Sequence, residues 1–220
     1  MAHEGKRASA ERIPADLPTD LEYLTITGAA ELLSAVPIED ARVDTADVTG
    51  AEIPSLSVTG SVFERVVLSQ STVQSVLLRD VRLVKCDLSN AVLRGFEARR
   101  VEFIECRLLG MKLNDCRWQD VLVENCDARY AQFNGGAVRS CEFRGTRLDE
   151  ADFRGVNLEG TTFIDASLRR ADLSGARLNN TNLRGADIDG LAVRAEDLKG
   201  ALVTAPQAMD LARLLGLVIG

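Results

Sequence analysis

Aromatic residues make up only 5% of the 220-residue sequence. An interior built mainly on packed rings is excluded, so the core must be filled by aliphatic and small side chains. Histidine occurs once, at His3. That removes the commonest general base and metal ligand from the rest of the chain. The five cysteines leave one without a partner in any disulfide scheme, and none sits in a Cys-x-x-Cys pair. No apolar run approaches the ~18 residues of a transmembrane helix. The charged N-terminal stretch lacks the ~7–15-residue apolar segment of a signal peptide. A cytoplasmic protein with no membrane partner is expected. Basic residues are also short, 26 against 33 acids for a net charge of −7. The footprint of a nucleic-acid binder is absent, and no direct nucleic-acid binding is expected.

The acidity is uneven. Residues 1–40 carry eight acids and three bases, whereas residues 41–200 carry 24 and 22 and are close to balanced. The central region is therefore not a strongly charged surface.

What the sequence does have is a period of five. Stepping from ADLSG at 171–175 in both directions, all 32 third positions from Val43 to Leu198 are apolar. The first position is small in 27 of the 32 units, the exceptions being Leu56, Phe96, Met111, Leu191 and Glu196. Twelve of the 17 glycines occupy the fifth position. Positions one and three share a side, as in a strand of period two, and position two faces the other way. Positions four and five are rich in Gly, Asn, Asp and Ser, which suit a bend. Each unit is one short strand and one corner. A chain that turns every five residues must coil and stack on itself. An all-β solenoid is the expected fold class.

The units ADLSG, ADFRG, TNLRG and ADIDG resemble the A(D/N)LxG motif of the pentapeptide-repeat family, over about 160 of the 220 residues. The resemblance implies a right-handed quadrilateral β-helix of about eight coils, with twenty residues per coil. Residue volumes support the same coil length. Trp118, the largest inward residue, has Ala98 twenty residues before it and Val138 twenty after. Phe96 fills the space that Ala98 leaves, as close packing requires. Phe103, Phe143 and Phe163 fall on one face of this coil.

The ends depart from the repeat. Residues 1–20 read as a mobile tail and 21–40 as an N-terminal cap of one strand and a short helix. The repeat itself spans 41–203. Residues 204–220 read as a C-terminal helix, started at Pro206 and stopped at Gly216, followed by a strand. Met209, Leu211, Leu214, Leu215, Leu217 and Ile219 supply more apolar surface there than a one-sided cap needs. The pattern is similar to the end of the mycobacterial fluoroquinolone-resistance branch of the family, and that resemblance implies a homodimer through these residues.

No catalytic residue, metal site or cofactor is expected. The serines have no base to activate them. Cys86, Cys106 and Cys126 lie one coil apart and read as small buried filling, with Cys116 and Cys141 also inward. The glycines lack the Lys-Ser/Thr of a phosphate loop. One outer region stands out as a candidate partner surface: Glu102, Glu105, Glu124 and Glu142, with Ile104 and Leu122 among them. It also reads as an ordinary solvated face or as the place where the N-terminal segment packs. Some members of the family mimic B-DNA and occupy DNA gyrase, so the resemblance implies DNA gyrase or another type II topoisomerase as a partner. The near-neutral repeat region argues against mimicry, and the alternative is a scaffold or interaction module for some other protein.

Overall fold

The computed structural model describes residues 12–19, 25–214 and 216–218. The repeat forms a parallel β-solenoid of about eight turns. From Ile38 onward the strand pairs are parallel, with partners twenty residues apart, as in Leu56↔Val76↔Phe96. One slip occurs, where Ile164 pairs with Gly185 rather than with Arg184. The column Val58↔Leu78↔Ala98↔Trp118↔Val138 places small neighbours directly below and above the indole. Phe96 meets the ring of Trp118 edge-on at 5.6 Å, and Phe103 stacks on it at 5.5 Å. Further along, Phe133 stacks on Phe153 at 4.6 Å and Phe143 on Phe163 at 5.0 Å. These two ladders come from opposite faces, half a coil apart, and meet edge to face in the interior. The few aromatic residues are thus concentrated in the middle coils, where they replace aliphatic filling.

The corners explain the rest of the repeat. At many of them the carbonyl of the third residue accepts a hydrogen bond from the N–H of the next first residue. Ala51 to Val48 and Ala91 to Leu88, both 3.1 Å, are examples. The fifth residue then sits at positive φ, 68° at Gly50 and 57° at Asn90. That is the third position of a type II turn, which favours Gly or Asn. Elsewhere the strand runs through the bend, as in Leu56–Glu64, Val76–Val84 and Phe96–Ile104. At such a corner the Ser61 hydroxyl donates to the Thr59 carbonyl at 2.8 Å. The Cys106 thiol and the Thr146 hydroxyl do the same to Ile104 and Arg144 at the next corner of their coils. Where the small first residue is Ser, Thr or Cys, it is a spacer that also satisfies a carbonyl inside the bend.

At the N-terminal end, strand Thr25–Thr27 pairs with Ala41–Val43 and is followed by helix α1, Ala29–Leu33. Leu32 of α1 is fully buried on the first coil. At the other end helix α2, Ala205–Leu214, closes the last coil. Leu217 and Val218 beyond it are not in a strand, in contrast to the sequence expectation.

Candidate partner-binding surfaces

The first surface lies where two faces of the coil meet. Its outward column on one face is Arg82↔Glu102↔Leu122↔Glu142, each one coil above the last. The adjoining corner carries Asp80, Arg100 and Asp120. Residues 12–19 lie along this corner rather than hanging free. The N–H groups of Ile13, Ala15 and Asp16 donate to Asp120, Glu102 and Asp80 at 3.4, 3.4 and 2.9 Å. Arg12 approaches Glu102 at 3.5 Å and Glu142 at 3.9 Å. Asp80, Glu102 and Asp120 are consequently buried. Burial works against the Asp80 carboxylate. The Arg100 guanidinium, hydrogen-bonded at 2.6 and 2.5 Å, and the Asp16 N–H outweigh it and hold Asp80 below its ordinary range.

The six candidate residues of this region are therefore not one open patch. Glu102 and Leu122 are buried, Glu142 is half-buried beside Arg12, Ile104 and Glu124 are half-buried away from it, and Glu105 is exposed. Arg12, Asp80 and Asp120 complete the site but were missed in the sequence, because nothing in a repeat says where an out-of-register segment will lie.

Around the rod, carboxylates alternate with arginines on neighbouring coils. Arg82 pairs with Glu102 at 2.8 Å, Arg117 with Glu97 at 2.6 Å, Arg147 with Asp127 at 2.9 Å and Arg169 with Asp189 at 2.9 Å. Arg144 bridges Glu124 and Glu142, and Lys85 faces Glu105 at 3.6 Å. Over residues 41–200 no face of the coil departs from neutral by more than two charges. The surface is a mosaic of opposite charges.

The second surface is the C-terminal cap. Thr204 and Gln207 form a reciprocal start to α2: the Gln207 N–H donates to the Thr204 hydroxyl at 3.3 Å, and the Gln207 side-chain oxygen accepts from the Thr204 N–H at 2.9 Å. The Gln207 amide nitrogen then donates to the Leu183 and Ala186 carbonyls at 2.7 and 2.9 Å, sealing the open end of the last coil. Gln207 was overlooked, although Thr-x-x-Gln before a helix was a legible signal. Leu211 is buried against the core, so it belongs to the cap's inner side. Met209, Leu214, Leu217 and Val218 are exposed. Leu215 and Ile219 lie outside the described residues. A shallow apolar groove of about 230 Å³ between the last coil and α2 is lined by Leu198, Ala201, Val203, Leu211, Ala212 and Leu217.

All five cysteines are free and buried. A hydrogen bond to the Cys126 sulfur and burial push the Cys106 thiol up to about 12, and burial does the same for Cys116. Among the described residues no three potential metal ligands converge, and no helix is long and apolar enough to cross a membrane.

Comparison with curated protein sequences gives no match. Among solved structures, the chain is similar to HetL, a pentapeptide repeat protein involved in heterocyst differentiation regulation from the cyanobacterium Nostoc. The identity is 20%, over 76% of this chain and 87% of that one, with a TM-score of 0.31. It is also similar to full-length QnrB1, a plasmid-mediated fluoroquinolone resistance protein, at 19% identity over 88% and 95% of the two chains, TM-score 0.34. The family model for a pentapeptide repeat region matches residues 76–153, and that for pentapeptide repeats in eight copies matches 151–190. These matches run without a gap along the coils described above, and the chain belongs to the pentapeptide-repeat family.

Proposed function

We propose that the protein works without chemistry of its own, as a rigid rod that docks a protein partner and pairs end to end with a second copy. The observation that carries this reading is the charge mosaic. Side-chain rows fixed at ~4.8 Å intervals and alternating in sign offer a surface that selects a complementary protein face. On the side, the exposed Glu105, flanked by the half-buried Ile104 and Glu124, is the accessible part of the candidate contact row. At the end, Met209, Leu214 and Leu217 form the exposed apolar patch through which two copies meet.

A second reading, DNA mimicry on DNA gyrase, is favoured by the likeness of the C-terminus to the mycobacterial branch of the family. The ion-pair mosaic weighs against it, because a mimic of phosphate charge needs an uninterrupted negative stripe. A supercoiling assay with DNA gyrase, run with and without the protein over a wide concentration range, separates the two. The docking-rod reading expects unchanged supercoiling. Inhibition that weakens with salt and with Glu102→Lys, Glu105→Lys and Glu124→Lys would establish mimicry instead.

A further inference from the structure

Most surface acids of this rod bond within their own coil or to an arginine one coil away. Asp80 and Glu102 also pair in this way, with Arg100 and Arg82, but together with Asp120 they additionally hold the main chain of a segment 64, 87 and 107 residues distant in sequence. The geometry of the match is specific. Asp120 and Asp80 stand two coils apart, about 9.6 Å at the usual strand spacing. Their donors, Ile13 and Asp16, are three residues apart, about 10 Å in an extended chain. An extended backbone laid parallel to the rod axis is thus in step with the coil repeat, and a helix, rising ~1.5 Å per residue, is not. Pro14, which has no N–H, falls between the donors and loses nothing.

We infer that the Asp80–Glu102–Asp120–Glu142 corner is a docking groove for an extended, arginine-bearing chain segment. Residues 12–19 are its built-in occupant, a strap that must lift before a partner's segment can enter. The groove reads backbone N–H groups, which any extended segment supplies, and one guanidinium, placed by Glu102 and Glu142. Leu122, between those two carboxylates in the column, gives the groove an apolar floor. The partner's chemistry follows: an extended segment with an arginine just ahead of the backbone donors. The strap competes by proximity, since a tethered segment acts at an effective concentration in the millimolar range. This inference deepens the docking-rod reading and rests on it for the existence of a protein partner.

The test uses the full chain. Arg12→Ala, Ala15→Pro and Asp16→Pro together remove the guanidinium and two backbone donors without touching the solenoid. A labelled peptide RIPADLPT, the sequence of residues 12–19, is titrated into this strap-lifted chain and into the unmodified protein. The strap-lifted chain is expected to bind the peptide at least about tenfold more tightly, as a tethered competitor requires. Adding Glu102→Ala, with a thermal melt confirming the fold, is expected to weaken binding roughly tenfold, the scale of a lost charged hydrogen bond. A second measurement needs no peptide: in the unmodified chain the Ala15 amide is expected to be protected from hydrogen exchange, and Glu102→Ala to remove that protection. Equal peptide binding by the two chains, no binding by the strap-lifted chain, or an unprotected Ala15 amide would overturn the inference. Peptide binding reports on the groove alone, so a rod that takes the peptide and pairs with no protein fails the docking-rod reading without failing the groove.

Discussion

At the residue scale, the fit between coils is decided by single atoms. Gly136 occupies a first position, and a Cβ added there would lie 2.8 Å from the Cys116 carbonyl oxygen and 2.9 Å from its sulfur. Both are fixed by the coil below. Its φ is not in the left-handed region, so Gly136→Ala isolates the steric effect from any backbone strain. Forcing a methyl group into a filled interior is expected to destabilise the rod by about 1–3 kcal/mol, read as a lower melting temperature. Gly155→Ala has no atom within 4 Å of its added Cβ but a φ of +68°, so its loss should be smaller, about 1 kcal/mol, and purely conformational. The thiols give a second residue-scale outcome. Cys106 and Cys116 keep their protons in the folded state up to about 12, whereas an unfolded cysteine ionises near ~8.5. A group whose folded value is raised contributes stability that is complete below the unfolded value and is lost as pH rises toward the folded one. Stability is therefore expected to fall with pH above ~8.5, and native thiol titration at neutral pH to label the cysteines only on unfolding. Fast labelling of the native protein would contradict the inward assignment.

At the scale of the element, α2 divides its apolar residues between two tasks. Six C-terminal positions looked like one interface in the sequence. A helix advances ~100° per residue, which sets Met209 opposite Leu211 and leaves Leu214 at the margin of the buried side. Leu211 points into the core, with Gln207 beside it on the last coil's carbonyls. Met209 and Leu214 are 44% and 47% exposed. The two sets make different predictions. Met209→Glu with Leu214→Glu is expected to give a folded monomer from a dimer in light scattering, because only the outer face changes. Leu211→Glu buries an unpaired carboxylate and is expected to loosen the cap and lower the melting temperature whatever the oligomeric state. Unmodified protein that stays monomeric at tens of micromolar would defeat the dimer.

At the scale of the whole molecule, the eight turns make a rod about 38 Å long at ~4.8 Å per coil, and pairing through α2 roughly doubles it. Each coil touches only its neighbours, so damage in the middle interrupts a continuous core. Phe143 lies in that middle, fully buried and in contact with Phe133, Phe153 and Phe163. Phe143→Asp is expected to abolish cooperative thermal unfolding, since it removes these contacts and buries an uncompensated charge. Arg144→Ala, the next residue along, removes half-exposed ion pairs to Glu124 and Glu142 and is expected to change stability by no more than about 1 kcal/mol. Equal losses at the two sites would contradict the register.

The sequence by itself determined the coil. Val43 to Leu198 point inward at every fifth residue, and Ala98 and Val138 flank Trp118, because local strand period and volume matching act between positions a fixed number of residues apart. Such constraints repeat, so they can be read without coordinates. Only the tertiary structure decided where the irregular segments lie. Residues 12–19 and Gln207 each make their contacts once, with carboxylates or carbonyls far away in the chain. Glu102 shows the difference most clearly. Its outward position followed from the repeat, but its burial followed from a segment 87 residues earlier that the repeat does not govern. A periodic pattern fixes neighbours one coil apart, and it carries no information about a non-periodic chain laid across several coils at once.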